Sequence, residues 1–161
     1  MLLFAVEKKK IIYNILMRIT NRYAKTFKVE EKLEAGIALL GSEVKALRAG
    51  HGDIASAYVR ISGSEAYLVN AKIFPYKFSR IEGYQEDRTR KLLLHKKEIM
   101  ALKSKMDQGK YTIVPLALYL KDDNFKAEIA LALAKNKREK HRDRRKDTMD
   151  RETERELKNV L

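Results

Sequence analysis

The stretch "TRKLLLHKKEI", residues 89–99, sets three consecutive leucines between Arg90 and Lys91 on one side and His95, Lys96 and Lys97 on the other, with Arg88 just upstream. Cations at this density suit phosphates, because neutralising a polyanion releases its condensed counterions. A second pair, Lys45 and Arg48 in "GSEVKALRAG", is three residues apart and shares one face of a helix. Arg22 in "NRYAK" joins these as a candidate contact. Covalent chemistry finds less. Acidic groups occur as Glu30-Glu31-Glu34 and Asp122-Asp123, and no Ser/His/Asp order, HExxH or phosphate-loop glycine pattern is present. The histidines His51, His95 and His141 are far apart, and cysteine is absent. No metal and no cofactor is expected, and the chain reads as a binder and not an enzyme. A nuclease built from scattered carboxylates is the competing enzyme reading.

Charge over the whole chain agrees. Lys plus Arg number 35 against 22 acidic residues in 161, a net of +13. The partner is therefore expected to be a polyanion, nucleic acid before membrane surface, since no apolar run reaches the ~20 residues that span a bilayer. The absence of cysteine fits a reducing compartment, the cytoplasm. The plainer account is that many cytosolic proteins are simply basic.

Several elements must position these cations. Residues 27–39 alternate, with Phe27, Val29, Leu33, Ala35, Ile37 and Leu39 on one parity, which predicts a strand bent or broken near Gly36. A short helix follows, with Ser42 as N-cap and Gly50 ending it. A hairpin turns at Ser62-Gly63-Ser64, residues 75–88 form a loop, and "RKLLL" is a short strand. Ile99, Leu102 and Met106 mark an amphipathic helix ending before Gly109. "YTIVPLALYL" and "FKAEIALAL" make a long hairpin around Asp122-Asp123-Asn124, with Pro115 at an edge or bulge. The fold class is mainly β: a small antiparallel barrel with two or three added helices, since closure removes exposed edges. Tyrosines and phenylalanines are scattered, which argues against a generic single-strand binder with aromatic platforms.

The composition breaks after Leu133. Residues 135–146 carry eight Lys or Arg and two acids; residues 147–161 carry five acids and three bases. Such a segment buries almost nothing and is expected to be disordered when free, though its helix propensity is high. At the other end, "MLLFAVEKKKIIYNILM" is a poor signal peptide, its lysines following its apolar start. Either translation begins at Met17, or the first residues form a loosely ordered arm.

The motifs "EAGIALLGSEVKALRAG", "AYLVNAKIFPY", "TRKLLLHKKEI" and "LALYLKDDNFKAEIALALAK" fall in order over about Asn21 to Lys135. Together they resemble the SsrA-binding protein (small protein B) family, the tmRNA-binding partner of bacterial trans-translation. The resemblance implies three parts: an N-terminal extension over 1–20, an OB-like RNA-binding barrel over 21–134, and a basic tail over 135–161. It implies binding to the tRNA-like domain of tmRNA and delivery to stalled ribosomes. The barrel would stand in for an anticodon arm at the small-subunit decoding region. The tail would become helical in the mRNA channel. The protein would act as a monomer with no membrane partner. The candidate RNA contacts are Arg22, Glu34, Lys45, Arg48, Arg88, Arg90, Lys91, Leu93 and His95. The candidate ribosome contacts in the tail are Lys135, Lys137, Arg138, His141, Arg142, Arg144, Arg145 and Lys146. Glu34 is either a solvated strand residue or an acceptor for a base amine or ribose hydroxyl. The chain departs from the family where Gln85-Glu86-Asp87 replaces an Asp-Pro, where Asn136 replaces a glycine, and in the tail's "HRDRR". The alternative is a general OB-fold RNA-binding or ribosome-associated factor.

Overall fold

The computed structural model describes residues 6–8, 12, 17–80 and 82–160. Most of the expected N-terminal extension thus lies outside the described residues. Among the described residues from Arg18 on, nine strands and three α-helices follow one another: β1 (Arg18–Thr20), β2 (Phe27–Ile37), α1 (Gly41–Arg48), β3 (Gly52–Asp53), β4 (Tyr58–Ser62), β5 (Glu65–Val69), β6 (Lys72–Ile73), β7 (Arg90–Leu93), α2 (Lys96–Asp107), β8 (Thr112–Lys121), β9 (Asn124–Ala134) and α3 (Lys137–Val160). The sheet runs β1-β8-β4-β5-β7-β2-β9, and β8 pairs with β9 to close it. Every pairing is antiparallel, so the OB-like barrel read from the sequence is a closed ring with β1 laid along β8. The sheet begins at Arg18, three residues before the expected boundary at Asn21, because Arg18 to Thr20 pair with Tyr119 to Ala117.

Alternation decides which side chains fill the ring. On β2, Ala35 and Ile37 are buried and Lys32 and Glu34 face out. β2 leaves β9 at Gly36 and joins β7, so the bend expected there is a change of partner. The core centres on Leu47, Leu68, Leu92, Ile113, Leu118 and Ile129, each at most 1 % exposed. The long hairpin turns on Asp122 and Asp123, both at positive φ (49° and 61°). Those angles match the twist of the flanking strands, and Asp tolerates them better than most side chains. Asn124 is the first residue of β9, and not part of the turn.

Pro115 introduces a bulge: the β8–β9 register shifts between Pro115 and Ala117. Asn21 fills the disturbance. Its N–H donates to Leu116 O (2.8 Å), and its Nδ2 donates to Pro115 O (2.9 Å). Its Oδ1 accepts from Tyr23 N (2.9 Å), starting the 3-10 turn Ala24–Thr26 that leads into β2. A buried acceptor left unsatisfied costs about 1–3 kcal/mol. Asn21→Ala is therefore expected to lower unfolding free energy by about that amount in urea titration. An unchanged midpoint would mean that the bulge does not depend on this side chain.

Candidate nucleic-acid interface

Strand β7 sorts the residues of "RKLLL" by parity. Arg90 and Leu92 point inward, while Lys91 and Leu93 point outward. Arg90 is fully buried, which argues against the RNA contact that the sequence suggested. Its guanidinium is consumed by the protein. Nε and Nη2 lie 3.0 and 2.8 Å from Glu43 Oε1, Nη1 donates to Ala71 O (2.6 Å) and Arg88 O (2.7 Å), and Nη2 donates to Glu86 O (2.9 Å). An arginine can enter a core only when its fork is paired and hydrogen-bonded in this way. Arg88 is half-committed, with Nη2 2.8 Å from Glu43 Oε2.

Glu43 is the acid that sequence reading missed. It is fully buried in α1, and its Oε2 also accepts Leu40 N–H at 2.8 Å. Helix α1 therefore starts at Gly41 with Leu40 as its cap, and Ser42 lies inside the first turn. Burial alone would raise the Glu43 carboxyl. The bonds from Arg88 and Leu40, with the charge of Arg90, outweigh it and hold the group below the usual carboxylate range. The signal was present as a Glu at the third helical position, which can reach back to the cap N–H. The other end of α1 closes with His51 N–H on Ala46 O (2.9 Å) and Gly50 N–H on Leu47 O (2.9 Å), Gly50 being left-handed. This frame leaves Lys45 and Arg48 exposed on the helix surface.

Outside the barrel, Leu93 is 57 % exposed. It lies across Gly36, where an added methyl would come within 3.0 Å of Leu93 Cβ. Leu92 is buried and Leu94 is half-buried against the core. His95 is exposed, and its N–H donates to Glu98 at the start of α2 (2.9 Å). Lys91 is exposed and paired with Glu65. Arg22 is exposed beside Asp53 (3.1 Å) and Tyr23.

Glu34 stands two residues from Gly36 on the same face of β2. Lys121 Nζ lies 2.9 and 3.0 Å from its two oxygens, and the Tyr119 hydroxyl donates to it. The Tyr119 and Lys121 bonds hold its carboxyl below the usual range, while burial and the Glu34 bond push the Tyr119 hydroxyl up to about 12. Arg18 stacks over the Tyr119 ring at 5.2 Å and pairs with Glu128 at 2.5 Å. A carboxylate offers about four lone-pair sites, so acceptor capacity remains for a ligand. Tyr119 and Lys121 also escaped the sequence reading; their partners lie far away along the chain.

The tail is a single helix, capped reciprocally by Asn136 and Glu139. None of residues 137–159 is buried. Lys137, Arg138, His141, Arg142 and Arg145 line one groove of the helix surface. Lys135, Arg144 and Lys146 line another, against the barrel, where Lys135 meets Asp143 at 2.6 Å and Lys25 meets Asp147 at 3.1 Å.

The family model described as "SmpB protein" matches residues 18–159. An SsrA-binding protein from Pelobacter propionicus is 44% identical over 133 residues, 83% of this chain and 85% of its own length. One from Aquifex aeolicus is 46% identical over 143 residues, 88% of this chain and 91% of its own. A solved chain from work on tmRNA-SmpB at the center of the bacterial ribosome aligns with a TM-score of 0.64 at 39% identity, covering 74% of this chain and 85% of that one.

The Glu43 cluster makes stability depend on pH. Its carboxyl titrates lower in the folded chain than in the unfolded one. The stabilisation is complete above the unfolded value of about 4.3 and is lost as pH falls through the folded value. Glu43→Gln is expected to cost about 3–5 kcal/mol at pH 7, because Arg90 stays buried without its counter-charge. It should also flatten the loss of stability on acidification. Thermal unfolding across pH 3–7 checks both; a variant with wild-type stability and wild-type acid slope would contradict the role given to Glu43.

Proposed function

The chain belongs to the SmpB family, and from that membership we propose that it binds the tRNA-like domain of tmRNA and delivers it to stalled ribosomes for trans-translation. It acts in the cytoplasm as a monomer and performs no bond-making chemistry of its own. The observation that carries the reading is the exposed Leu93, set between Lys91 and His95 along the chain and against Gly36 of β2, two residues along the strand from Glu34. An apolar side chain held in water within a charged face suits an unstacked base or a ribose edge.

The cations and the acid divide the work. Lys45, Arg48, Lys91 and Arg22 attract phosphates without regard to sequence. Glu34, steadied by Lys121 and Tyr119, accepts from a base amine or a 2′-hydroxyl and so discriminates. Arg90 and Arg88 act indirectly, by building the surface that carries the others. The tail contributes a second, separate contact. A helix with no buried face is held by propensity, its cap and exposed ion pairs alone, and each such pair contributes about 0–1 kcal/mol. Marginal by itself, the helix is held along the mRNA channel, where rRNA phosphates meet Lys137, Arg138, His141, Arg142, Arg144 and Arg145.

Titrating the tRNA-like domain and an unrelated hairpin of equal length tests the barrel. Residues 17–134 should prefer the tRNA-like domain, with affinity falling steeply with salt. Glu34→Ala should shrink that preference more than it weakens hairpin binding. Equal affinity for both RNAs in the wild type would make the chain a general RNA binder. Reversing the charge of Arg138, Arg142 and Arg145 should abolish tagging on stalled ribosomes and leave tmRNA affinity within a few-fold. Tagging at the wild-type rate would remove the tail from the mechanism.

A further inference from the structure

Phe78 is 80 % exposed, the most exposed large hydrophobic side chain among the described residues. It sits at the tip of the loop between β6 and β7, and nothing in the barrel or tail reading uses it. The loop presents it in a fixed way. Ser79 donates twice to Tyr76 O, from its N–H (2.9 Å) and its hydroxyl (2.8 Å), which folds Tyr76 to Ser79 into a turn with Lys77 and Phe78 at the apex. Tyr76 is half-buried against the core, and its ring meets Phe78 edge-on at 5.6 Å and 65°. The root is pinned as well: Phe74 N–H donates to His51 O (3.1 Å), Ile73 N–H to Glu86 O (3.0 Å), and the Tyr84 hydroxyl to Ile73 O (2.7 Å).

We infer that this turn is a second RNA contact, in which Phe78 stacks on an unpaired base while Lys77 and Arg80 meet the flanking phosphates. The inference rests on the reading that the chain binds RNA, and extends it to a surface that reading leaves idle. Three features favour a base over other occupants. Lys77 Nζ lies 5.9 Å from the Phe78 ring centre, and Arg80 follows two residues on, so the ring stands among cations. The centre of a protein interface is depleted in charge, and a membrane-binding helix needs a broad apolar face; one ring at a turn tip beside two cations is neither. The loop is also continuous with α1: His51, which anchors Phe74, lies three residues beyond the exposed Arg48. Prior ordering of the ring by Tyr76 and Ser79 lowers what stacking must spend on entropy. A base offers a π-face whatever its identity, so this contact adds grip at an unpaired nucleotide without reading sequence.

The chain has no tryptophan, so Phe78→Trp installs a single indole at the apex, excited selectively over the eight tyrosines at the red edge of its absorption. The full-length variant is titrated with an RNA hairpin carrying bulged adenosines, with a fully paired hairpin of equal phosphate count, and with vesicles of phosphatidylcholine and phosphatidylglycerol. Quenching by the bulged RNA and not by the paired one is expected. Phe78→Ala should weaken binding to the bulged RNA about tenfold and change the paired one by no more than about twofold. Its melting temperature should match the wild type, because the side chain is 80 % exposed. Absence of quenching by either RNA, wild-type affinity of Phe78→Ala for the bulged hairpin, or a response to vesicles alone overturns the inference. If the wild type binds the tRNA-like domain while both Phe78 variants behave in these ways, the loop assignment fails alone. If the wild type binds no RNA, the proposed function fails with it.

Discussion

One buried carboxylate ties together the elements that carry the proposed RNA contacts. Glu43 accepts from the cap N–H of α1 and from the guanidinium groups of Arg88 and Arg90. Arg90 in turn holds the carbonyls of Ala71, Arg88 and Glu86. Those bonds fix the start of α1, the residue leading into β6 and the chain entering β7. The directions of Lys45 and Arg48 on the helix, and of Lys91 and Leu93 on the strand, all follow from that junction. Desolvating two charges is expensive, and such a pair adds little over a well-packed apolar one. What it supplies here is a set of directional bonds among segments that no regular ladder joins.

The exposed ion pairs are of another kind. Lys91–Glu65 and Lys25–Asp147 lie in water, are screened by salt, and contribute little to stability. They are easily exchanged for phosphate. On the proposed reading, an RNA strand at this surface would meet lysines already extended and held, and would displace acids that lose little. The same logic applies to the tail. Asp143 and Asp147, one helical turn apart, turn one side of α3 toward Lys135 and Lys25, and the arginines Arg138, Arg142 and Arg145 are left on another.

The longer strands, the helices and the two hairpins were readable because parity survives in β2 and the 3.6-residue period in α2, and because the charge step at Lys135 is abrupt; the short strands β1 and β3, and the break that separates β6 from β5, were not. The bulge was readable from Pro115. Burial of Arg90 was not, since a strand written RKLLL offers two cations of equal standing and parity alone does not say which faces inward. The answer lay with Glu43, a partner in another element. Glu34 was found by resemblance, yet its companions Tyr119 and Lys121 are more than eighty positions away and only closure of the barrel brings them near. Phe78 looked like one scattered aromatic; the turn closed by Ser79 makes it a presented one.

The account divides the basic residues around β7 into builders and contacts, and a single comparison tests that division. Glu43→Leu/Arg90→Met replaces the buried pair by apolar groups of similar volume, a change that cores often accept. Its dissociation constant for the tRNA-like domain is measured over a range of salt beside its thermal unfolding, with Lys91→Ala as the reference. Lys91→Ala should lower the slope of log Kd against log salt by about one, while the double variant, which loses orienting bonds and no phosphate contact, should keep the wild-type slope even where its affinity falls. A double variant that is folded as the wild type yet loses slope as Lys91→Ala does would contradict this division, because Arg90 would then be touching the RNA itself.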